Sequence, residues 1–224
     1  MHRIGTAHIL VSVAAFSCLM PAGAQEPATL LARLDRFAPT FTGMKATIQE
    51  VVHTANIDKE ETLRGTIVVK RRSPTKMHLM VSFAGSSSFA LRDQTAEIYH
   101  PKLNEIEVYN IREYRDIAQT LMLLGFGMPG RELAANYEIR EVRREVLGAQ
   151  DTTHLELIPK SPEMLKRLQR AELWISEKTN CAVQQKFYTP DGDRVVQLSD
   201  QQINPQLPDS ALEFPKNARR VKKN

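Results

Sequence analysis

Residues 116–130 read Asp-Ile-Ala-Gln-Thr-Leu-Met-Leu-Leu-Gly-Phe-Gly-Met-Pro-Gly, and they interrupt a chain that otherwise has the alternating pattern of strands. Residues 121–124 are apolar at four consecutive positions, which surrounds most of a helix and leaves more apolar surface than one contact with a sheet requires. The helical pattern then ends in Gly125 and Pro129. We interpret the segment as a flap that covers an apolar surface.

Patterns typical of strands lie on both sides of this segment. Apolar and β-branched residues recur in short stretches between polar turns, and Asp191-Gly192 is the clearest hairpin turn. We predict strands at residues 43–54, 63–71, 77–84, 88–92, 96–100, 105–111, 137–147, 153–159, 171–175, 183–188 and 194–203, with the charged residues 58–61 as a loop. We predict short helices at residues 29–38, 129–135 and 161–168. The sequence therefore predicts a mainly β (α+β) fold in which a large antiparallel sheet carries a few short helices.

Several predicted strands are apolar on both faces. Residues 67–69 are apolar consecutively, and so are residues 173–175. Strands with this pattern are buried on both sides of a sheet. Two explanations remain open: a thick core under covering helices, or a curved sheet that encloses a lipid-sized pocket beneath the flap.

The first 24 residues have the features of a secretory signal. A basic start precedes an apolar stretch over residues 9–19 and the small residues Ala22-Gly23-Ala24, which form a cleavage motif. We therefore expect an exported protein with one domain over residues 25–224 that ends in a basic tail. An alternative is a lipid-anchored form with Cys18 as the attachment site, although the residues before Cys18 lack the leucine that such signals normally contain.

The basic tail accounts for the high isoelectric point. Five basic side chains lie in the last nine residues: Lys216, Arg219, Arg220, Lys222 and Lys223. The rest of the mature chain carries slightly more acidic than basic side chains, so we expect no nucleic-acid partner. Such a tail could contact anionic headgroups or an acidic partner, but the pattern after Pro205 favours a solvated, irregular terminus.

The sequence shows no pattern typical of a cofactor site, a metal site or a catalytic centre. Gly125-Phe-Gly127-Met-Pro-Gly130 matches the dinucleotide-binding pattern by letters, but it lacks the preceding strand and the βαβ unit that the motif requires. The histidines of the mature chain are isolated, and its single cysteine, Cys181, is interpreted as a buried thiol. Ser86-Ser87-Ser88 lacks the Gly-x-Ser-x-Gly frame. We therefore expect no cofactor, no metal and no enzymatic activity.

A series of short stretches is found in the same order and spacing in one known family. Examples are Gly65-Thr-Ile-Val-Val-Lys-Arg-Arg72 and Leu123-Leu-Gly-Phe-Gly-Met-Pro-Gly130. The others are residues 37–49, 96–101, 104–109, 172–175, 185–187, 190–192 and 203–211. Together they resemble the periplasmic lipoprotein carrier (LolA-like) superfamily, and especially its branch of outer-membrane lipoprotein-sorting proteins.

The resemblance implies an incomplete antiparallel β-barrel, closed by a lid of short helices around an apolar cavity for acyl chains. In these carriers an arginine at the end of one strand points into the cavity and hydrogen-bonds to the lid. Arg71 matches that position, and strand alternation gives it the same face as Ile67 and Val69. The additional residues Arg72-Ser73 before Pro74 leave Arg72 as the alternative latch.

The lipid-binding and lid residues that we predict are Arg71, Leu121, Met122, Leu123, Leu124, Phe126, Met128, Ile67, Val69 and Trp174. Gly125 and Gly127 are predicted to form a hinge, so alanine at both positions should slow ligand exchange.

The function that the resemblance implies is a periplasmic carrier. It would bind the acyl chains of lipoproteins or other lipids in an apolar cavity and hand them toward the outer membrane. Its partners would be an inner-membrane donor protein and an outer-membrane acceptor protein, and we expect a monomer. The alternative is a lipid-sensing or lipoprotein-sensing regulatory domain of the same fold that acts through a protein partner.

Overall fold

The computed structural model describes residues 27–73, 76–114 and 124–223. The helices of this part are α1 (Pro27–Phe37), α2 (Gly130–Asn136) and α3 (Pro162–Leu165), with 3-10 turns at Ala38–Thr40, Ala55–Ile57, Arg112–Tyr114 and Asp209–Leu212. The strands are β1 (Gly43–Thr54), β2 (Lys59–Ser73), β3 (Lys76–Phe83), β4 (Ser88–Leu91), β5 (Thr95–His100), β6 (Glu105–Asn110), β7 (Tyr137–Leu147), β8 (Gln150–Pro159), β9 (Arg170–Ser176), β10 (Ala182–Thr189), β11 (Gly192–Ile203) and β12 (Arg219–Lys223).

The strands of the described residues form one twelve-stranded sheet in the order β12-β6-β5-β4-β3-β2-β1-β11-β10-β9-β8-β7. Neighbouring strands are antiparallel, apart from β12, which runs parallel to β6. The sheet curves but does not close into a barrel, because β7 and β12 remain as its two edges. The predicted fold class is therefore confirmed.

The helices cover one face of this sheet, which we call the inner face. On α1, Leu30 and Leu34 lie one turn apart and pack against Leu155 and Leu173 of β8 and β9. The helix α3 begins at Ser161, whose hydroxyl oxygen accepts a hydrogen bond from the Met164 N–H. The helices thus bury apolar stripes that would otherwise face water.

The core of the inner face consists of two adjoining apolar clusters. The first packs α1, α2 and α3 against β7 to β10. The second packs β1 to β4 and β11 around Phe41, Phe126 and Cys181. Strand alternation decides which side chains take part, so Ile67 and Val69 of β2 are in the second cluster, while Val68 between them faces the other side.

The C-terminal residues cover part of the outer face. Phe214 and Ala218 form a third apolar cluster with Ala90 and Ile106, and the Phe214 ring stacks on Tyr99 with 5.4 Å between ring centroids. After these contacts the chain enters β12 beside β6. The basic C-terminal residues thus form a strand, where the sequence favoured an irregular and solvated tail.

Ion pairs explain this difference. Arg219 pairs with Glu105, Arg220 pairs with Glu97, and the Lys223 ammonium lies 3.0 Å from the Glu107 carboxylate. These acidic partners lie on β5 and β6, more than 100 residues earlier in the chain. A prediction made from the sequence of the tail alone therefore misses these ion pairs.

Two further differences concern the predicted loop and the predicted flap. Lys59, Glu60 and Glu61 belong to β2 and pair with Thr54, His53 and Val52, so the loop between the first two strands is shorter than predicted. Most of the predicted flap helix, and the predicted signal at residues 1–24, lie outside the described residues. Among the residues that are described, no helix has the length and apolar character needed to cross a membrane.

Candidate functional site

Arg71 places a charge among the apolar side chains of the inner face. It lies in β2, two residues after Val69, and is paired with Met77 of β3. Its backbone N–H donates a hydrogen bond of 2.8 Å to the carbonyl of Thr42, just before β1 begins. The end of β2 is thereby tied to the segment that precedes β1.

The Arg71 guanidinium connects two backbone segments. Its Nε donates to the Phe41 carbonyl oxygen at 2.8 Å, and its Nη2 donates to the Gly127 carbonyl oxygen at 3.2 Å. The guanidinium carbon lies 5.9 Å from the centroid of the buried Phe41 ring. One side chain thus holds the residues before β1 and those before α2 together.

The surroundings of the Arg71 guanidinium stabilise its positive charge. Burial lowers the pKa of Arg71, and the nearby Glu132 carboxylate opposes that shift. Even so, a guanidinium stays protonated at neutral pH. A partly desolvated cation is costly unless it is hydrogen-bonded, so the Phe41 and Gly127 carbonyl dipoles stabilise it where it lies.

We call residues 124–129 the closing loop. Its side chains Leu124, Phe126 and Met128 are buried under the inner-face helices and strands. Leu124 and Met128 pack in the first cluster, whereas Phe126 packs in the second. The closing loop therefore seals the seam between the two halves of the core.

Three hydrogen bonds to backbone carbonyls hold the closing loop. The Gln185 side-chain amide donates to the Leu124 carbonyl at 2.6 Å, and the Ala182 N–H donates to the Gly125 carbonyl at 2.9 Å. Arg71 supplies the third, to Gly127. Two of these donors come from β10 and one from β2, so strands on opposite sides of the sheet centre hold the loop.

The two glycines of the closing loop are required by backbone angle and by space. Gly125 has φ +88° and Gly127 has φ +71°, values that favour glycine. A Cβ on Gly127 would lie 2.6 Å from Phe41 Cδ1, and a Cβ on Gly125 would lie 2.7 Å from Ala182 Cβ. Both glycines therefore allow the loop to lie directly on the core.

Among the described residues, the closing loop covers a small void. A void lined by Leu34, Met128, Leu133, Leu155 and Leu173, among others, has a volume of about 10 Å³. That is room for roughly one water molecule and not for an acyl chain. This void between the described residues is therefore too small for an acyl chain.

The structure brings together six of the ten predicted lipid-binding and lid residues. Ile67, Val69, Arg71, Leu124, Phe126 and Met128 all lie on the inner face around the closing loop. Leu121, Met122 and Leu123 lie outside the described residues.

Trp174 lies apart from these residues. Its neighbours Leu173 and Ile175 point to the inner face, so Trp174 points to the outer face, where it stacks on His154 with 4.4 Å between ring centroids. Its indole N–H donates to Glu145 at 3.3 Å. The three consecutive apolar residues of β9 therefore divide between the two faces, as strand alternation requires.

Arg72, the alternative latch, also lies on the outer face. It forms an ion pair with Asp209, which pairs with Lys70 at 2.8 Å as well. These interactions attach the C-terminal segment to the outer side of β2. The two adjacent arginines thus serve opposite faces of the same strand.

Phe41 and Gln185 are residues of this site that the sequence analysis did not identify. Phe41 is fully buried and supplies both a carbonyl acceptor for Arg71 and the surface on which Gly127 rests. Gln185 is a buried polar residue on β10, at a strand position that faces the apolar core. That mismatch between a polar residue and an inward position was the available signal.

Cys181 is buried in the second cluster, and burial raises the pKa of its thiol to about 12. Such a thiol is protonated and unreactive at neutral pH. In the part of the chain that the structure describes, no three His, Cys, Asp or Glu side chains are grouped so that they could hold a metal ion.

Comparison of the sequence with known proteins gives no match. No protein-family profile matches this chain. No curated protein matches it either.

Comparison of the structure does give matches. An uncharacterized conserved protein from Thermus thermophilus superposes with a TM-score of 0.53 at 15% identity, covering 89% of this chain and 100% of that protein. MucB, known from Pseudomonas aeruginosa, superposes with a TM-score of 0.51 at 12% identity, covering 88% of this chain and 64% of MucB. A LolA superfamily protein from Nitrosomonas europaea matches with a TM-score of 0.38 at 12% identity, covering 84% of this chain and 97% of that protein. The two matches with TM-scores above 0.5, to the Thermus thermophilus protein and to MucB, show a likeness of fold, and at these identities they show the fold alone.

Proposed function

We propose that this protein is a periplasmic carrier that binds acyl chains of lipoproteins or other lipids on its inner face, beneath the closing loop. The observation that supports the proposal best is the position of Arg71. Its guanidinium lies against an apolar interior and hydrogen-bonds to the Phe41 and Gly127 carbonyls. This charge therefore stabilises the closed position of a loop that covers apolar surface.

The proposed mechanism is competition between the closing loop and the ligand. When the loop moves away, the surface that Leu124, Phe126 and Met128 cover becomes accessible. An acyl chain would replace these side chains and gain roughly 0.8 kcal/mol for each methylene that it buries. Because one apolar surface replaces another, the net gain is smaller than the gross burial.

The Arg71 hydrogen bonds make this exchange reversible. A hydrogen bond to a charged group contributes about 1.5 to 3 kcal/mol. Opening the loop breaks the Arg71 bond to Gly127, and closing restores it. The closed state thus opposes ligand binding, which lowers affinity and favours handover to an acceptor, as a donor-to-acceptor carrier requires.

Binding of a fluorescent fatty acid, with displacement by a diacylated lipopeptide, tests the proposal. We expect saturable binding by the mature chain. We also expect Arg71→Leu to bind the probe about tenfold or more tightly, because the closed state loses a stabilising charge. Arg72→Leu is the matched control, since Arg72 pairs with Asp209 on the outer face, and its affinity should equal that of the unmodified chain.

Two outcomes would contradict the proposal. Absence of saturable binding at micromolar probe would favour a thick, purely structural core. Equal affinities of the Arg71→Leu and unmodified proteins, both folded, would remove Arg71 from the mechanism. If the protein isolated from its own envelope instead carries a second protein and no lipid, the regulatory alternative is supported.

A further inference from the structure

A second concave region lies at the end of the sheet, away from the closing loop. The β3–β4 turn and the β5–β6 turn face each other across a groove of about 340 Å³. Its lining residues are Gly85, Ser86, Ser87, His100, Pro101, Lys102 and Leu103. A volume of this size suits a small ligand or one part of a larger one.

Three side chains in and beside this groove lie in series, joined by one hydrogen bond and one longer contact between an imidazole and a carboxylate. The Ser87 hydroxyl oxygen lies 2.9 Å from His100 Nδ1. On the other side of the imidazole ring, His100 Nε2 lies 3.4 Å from a Glu107 carboxylate oxygen. This series joins a hydroxyl nucleophile, a base and a carboxylate that orients the base.

The Glu107 carboxylate is itself held by two neighbouring side chains. Glu107 accepts a hydrogen bond from the Tyr109 hydroxyl at 2.8 Å, and its other oxygen lies 3.0 Å from the Lys223 ammonium. The contact with Lys223 has the larger effect and the contact with Tyr109 the next, and they lower the pKa of Glu107 to about 2. The Glu107 carboxylate is therefore ionised and accepts hydrogen bonds at neutral pH. An ionised carboxylate beside Nε2 favours the tautomer with the proton on Nε2, and in that tautomer Nδ1 can accept the Ser87 proton.

Strand pairing places these residues on one face. In the β5–β6 register Ile98 pairs with Glu107 and His100 pairs with Glu105, so His100 and Glu107 share a face. Ser87 comes directly before β4, whose first residue, Ser88, pairs with Tyr99 of β5. The series therefore depends on neighbouring strands and on Lys223 of β12.

We propose that Ser87, His100 and Glu107 form a hydrolytic site for carboxylic esters with short acyl groups. Ser87 is the nucleophile, His100 is the general base and then the general acid, and Glu107 is the residue that positions His100. Lys102 supplies a positive charge to the groove, and Pro101 and the exposed Leu103 supply apolar surface for the ester. This proposal is independent of the proposed carrier function.

The reaction follows from the positions of these atoms. Ser87 Oγ bonds to the ester carbonyl carbon while its proton passes to His100 Nδ1. The tetrahedral intermediate then expels the alkoxide, which takes that proton and leaves as an alcohol, so that the acyl group remains on Ser87. Water attacks the acyl group, its proton passes to Nδ1 and then to Ser87 Oγ, and the carboxylic acid departs. One ester and one water thus give one alcohol and one acid.

Hydrolysis of p-nitrophenyl acetate and p-nitrophenyl butyrate by the mature chain tests this proposal. We expect Ser87→Ala and His100→Gln each to lower kcat/KM at least about 100-fold. Glu107→Gln should lower it at least about tenfold, with a pH profile that shifts because the imidazole loses its carboxylate partner. A fluorophosphonate should also attach to Ser87, and peptide mass spectrometry would locate it there and not on Ser86 or Ser88.

Two control variants separate catalysis from general reactivity. His53→Gln removes another histidine that lies beside two carboxylates, Asp58 at 3.2 Å and Asp193 at 3.4 Å. Ser199→Ala removes an exposed serine of β11. Both should retain the full rate, and circular dichroism should show that every variant is folded.

The decisive comparison is between Ser87→Ala and His100→Gln. If His100→Gln loses the activity but folded Ser87→Ala retains it, the imidazole alone reacts with the activated ester and the proposal is wrong. It is also wrong if the unmodified protein hydrolyses neither ester faster than buffer and no phosphonate attaches to Ser87.

Discussion

Two segments cover the sheet, one on each face, and they are held by different forces. The closing loop lies on the inner face with three buried apolar side chains and three hydrogen bonds to its carbonyls. The C-terminal segment covers part of the outer face, where Phe214 stacks on Tyr99, and then joins the edge of the sheet as β12, which is held by ion pairs. The loop is held mainly by apolar burial, which many apolar groups can provide, whereas the C-terminal segment is held by specific charged and aromatic partners.

The adjacent residues Arg71 and Arg72 show this contrast within one strand. Arg71 donates to backbone carbonyls, which remain in place whatever side chains the loop carries. Arg72 pairs with the Asp209 carboxylate and with it fastens the C-terminal segment to β2. In the proposed mechanism the inner contact breaks and forms again as the loop moves, whereas the outer contact joins two oppositely charged side chains and takes no part in binding.

The largest effect is expected from removing one phenylalanine from each covering segment. Phe214→Ala should lower the free energy of unfolding by about 3 kcal/mol, because it leaves a cavity beside Tyr99, and it should not change fatty-acid affinity. Phe126→Ala also leaves a cavity, but on the inner face, so it should raise probe affinity as well as lower stability. Urea unfolding and probe titration of both variants measure the contrast. Equal changes in affinity would show that the closing loop and the C-terminal segment do not differ in their effect on fatty-acid binding.

A smaller effect is expected from alanine in place of single glycines. Gly127→Ala would place a Cβ 2.6 Å from Phe41, so the closing loop should be displaced and the probe should exchange faster. This reverses the slower exchange that the sequence predicts for a simple hinge. Stopped-flow displacement measures the rate.

Gly85→Ala is the matched control for this prediction. Gly85 also has a positive φ, +70°, but nothing lies within 4 Å of the position of its Cβ. Both variants should lose about 1 to 2 kcal/mol of stability from backbone strain. Only Gly127→Ala should change the exchange rate, and an identical rate in both would remove the close contact with Phe41 as the cause.

The smallest effect, on the C-terminal segment, is expected from lowering the pH. Asp209 is held by Lys70 and Arg72, and Glu107 by Lys223 and Tyr109, and these contacts lower both pKa values to about 2. Because the folded pKa lies below the ordinary values of 3.8 and 4.5, the stabilisation is complete above those values and is lost as the pH falls toward 2. The C-terminal segment should therefore loosen in this range.

The closing loop should respond differently to acid, because Arg71 stays charged throughout. Backbone amide shifts in NMR spectra can follow Val221 of β12 and Gly127 of the loop between pH 6 and about 2. We expect the amide shift of Val221 to change with pH along a titration curve and the amide shift of Gly127 to change little. A Gly127 shift with the same midpoint as Val221 would show that the two segments are coupled.

Much of the fold could be predicted because strand patterns are local. The predicted bounds of β1 and β7 are those of the structure, and the Asp191-Gly192 turn connects β10 and β11 as expected. The alternation in residues 67–71 also predicted that Arg71 faces the same side as Ile67 and Val69. A side chain's face follows from its position along its own strand, so no distant residue is needed to predict it.

The sequence by itself thus determined the class of fold, the inward position of Arg71 and the presence of two glycines beside Phe126. Only the tertiary structure decided what these groups contact. Phe41 and Gln185 reach the closing loop, and Arg72 reaches Asp209. The pairing of separate strands brings Ser87 and His100 together in one groove, with Glu107 beside it. The physical reason is that periodicity along a chain reports which way a side chain points, whereas its partner depends on the register between strands that lie far apart in sequence.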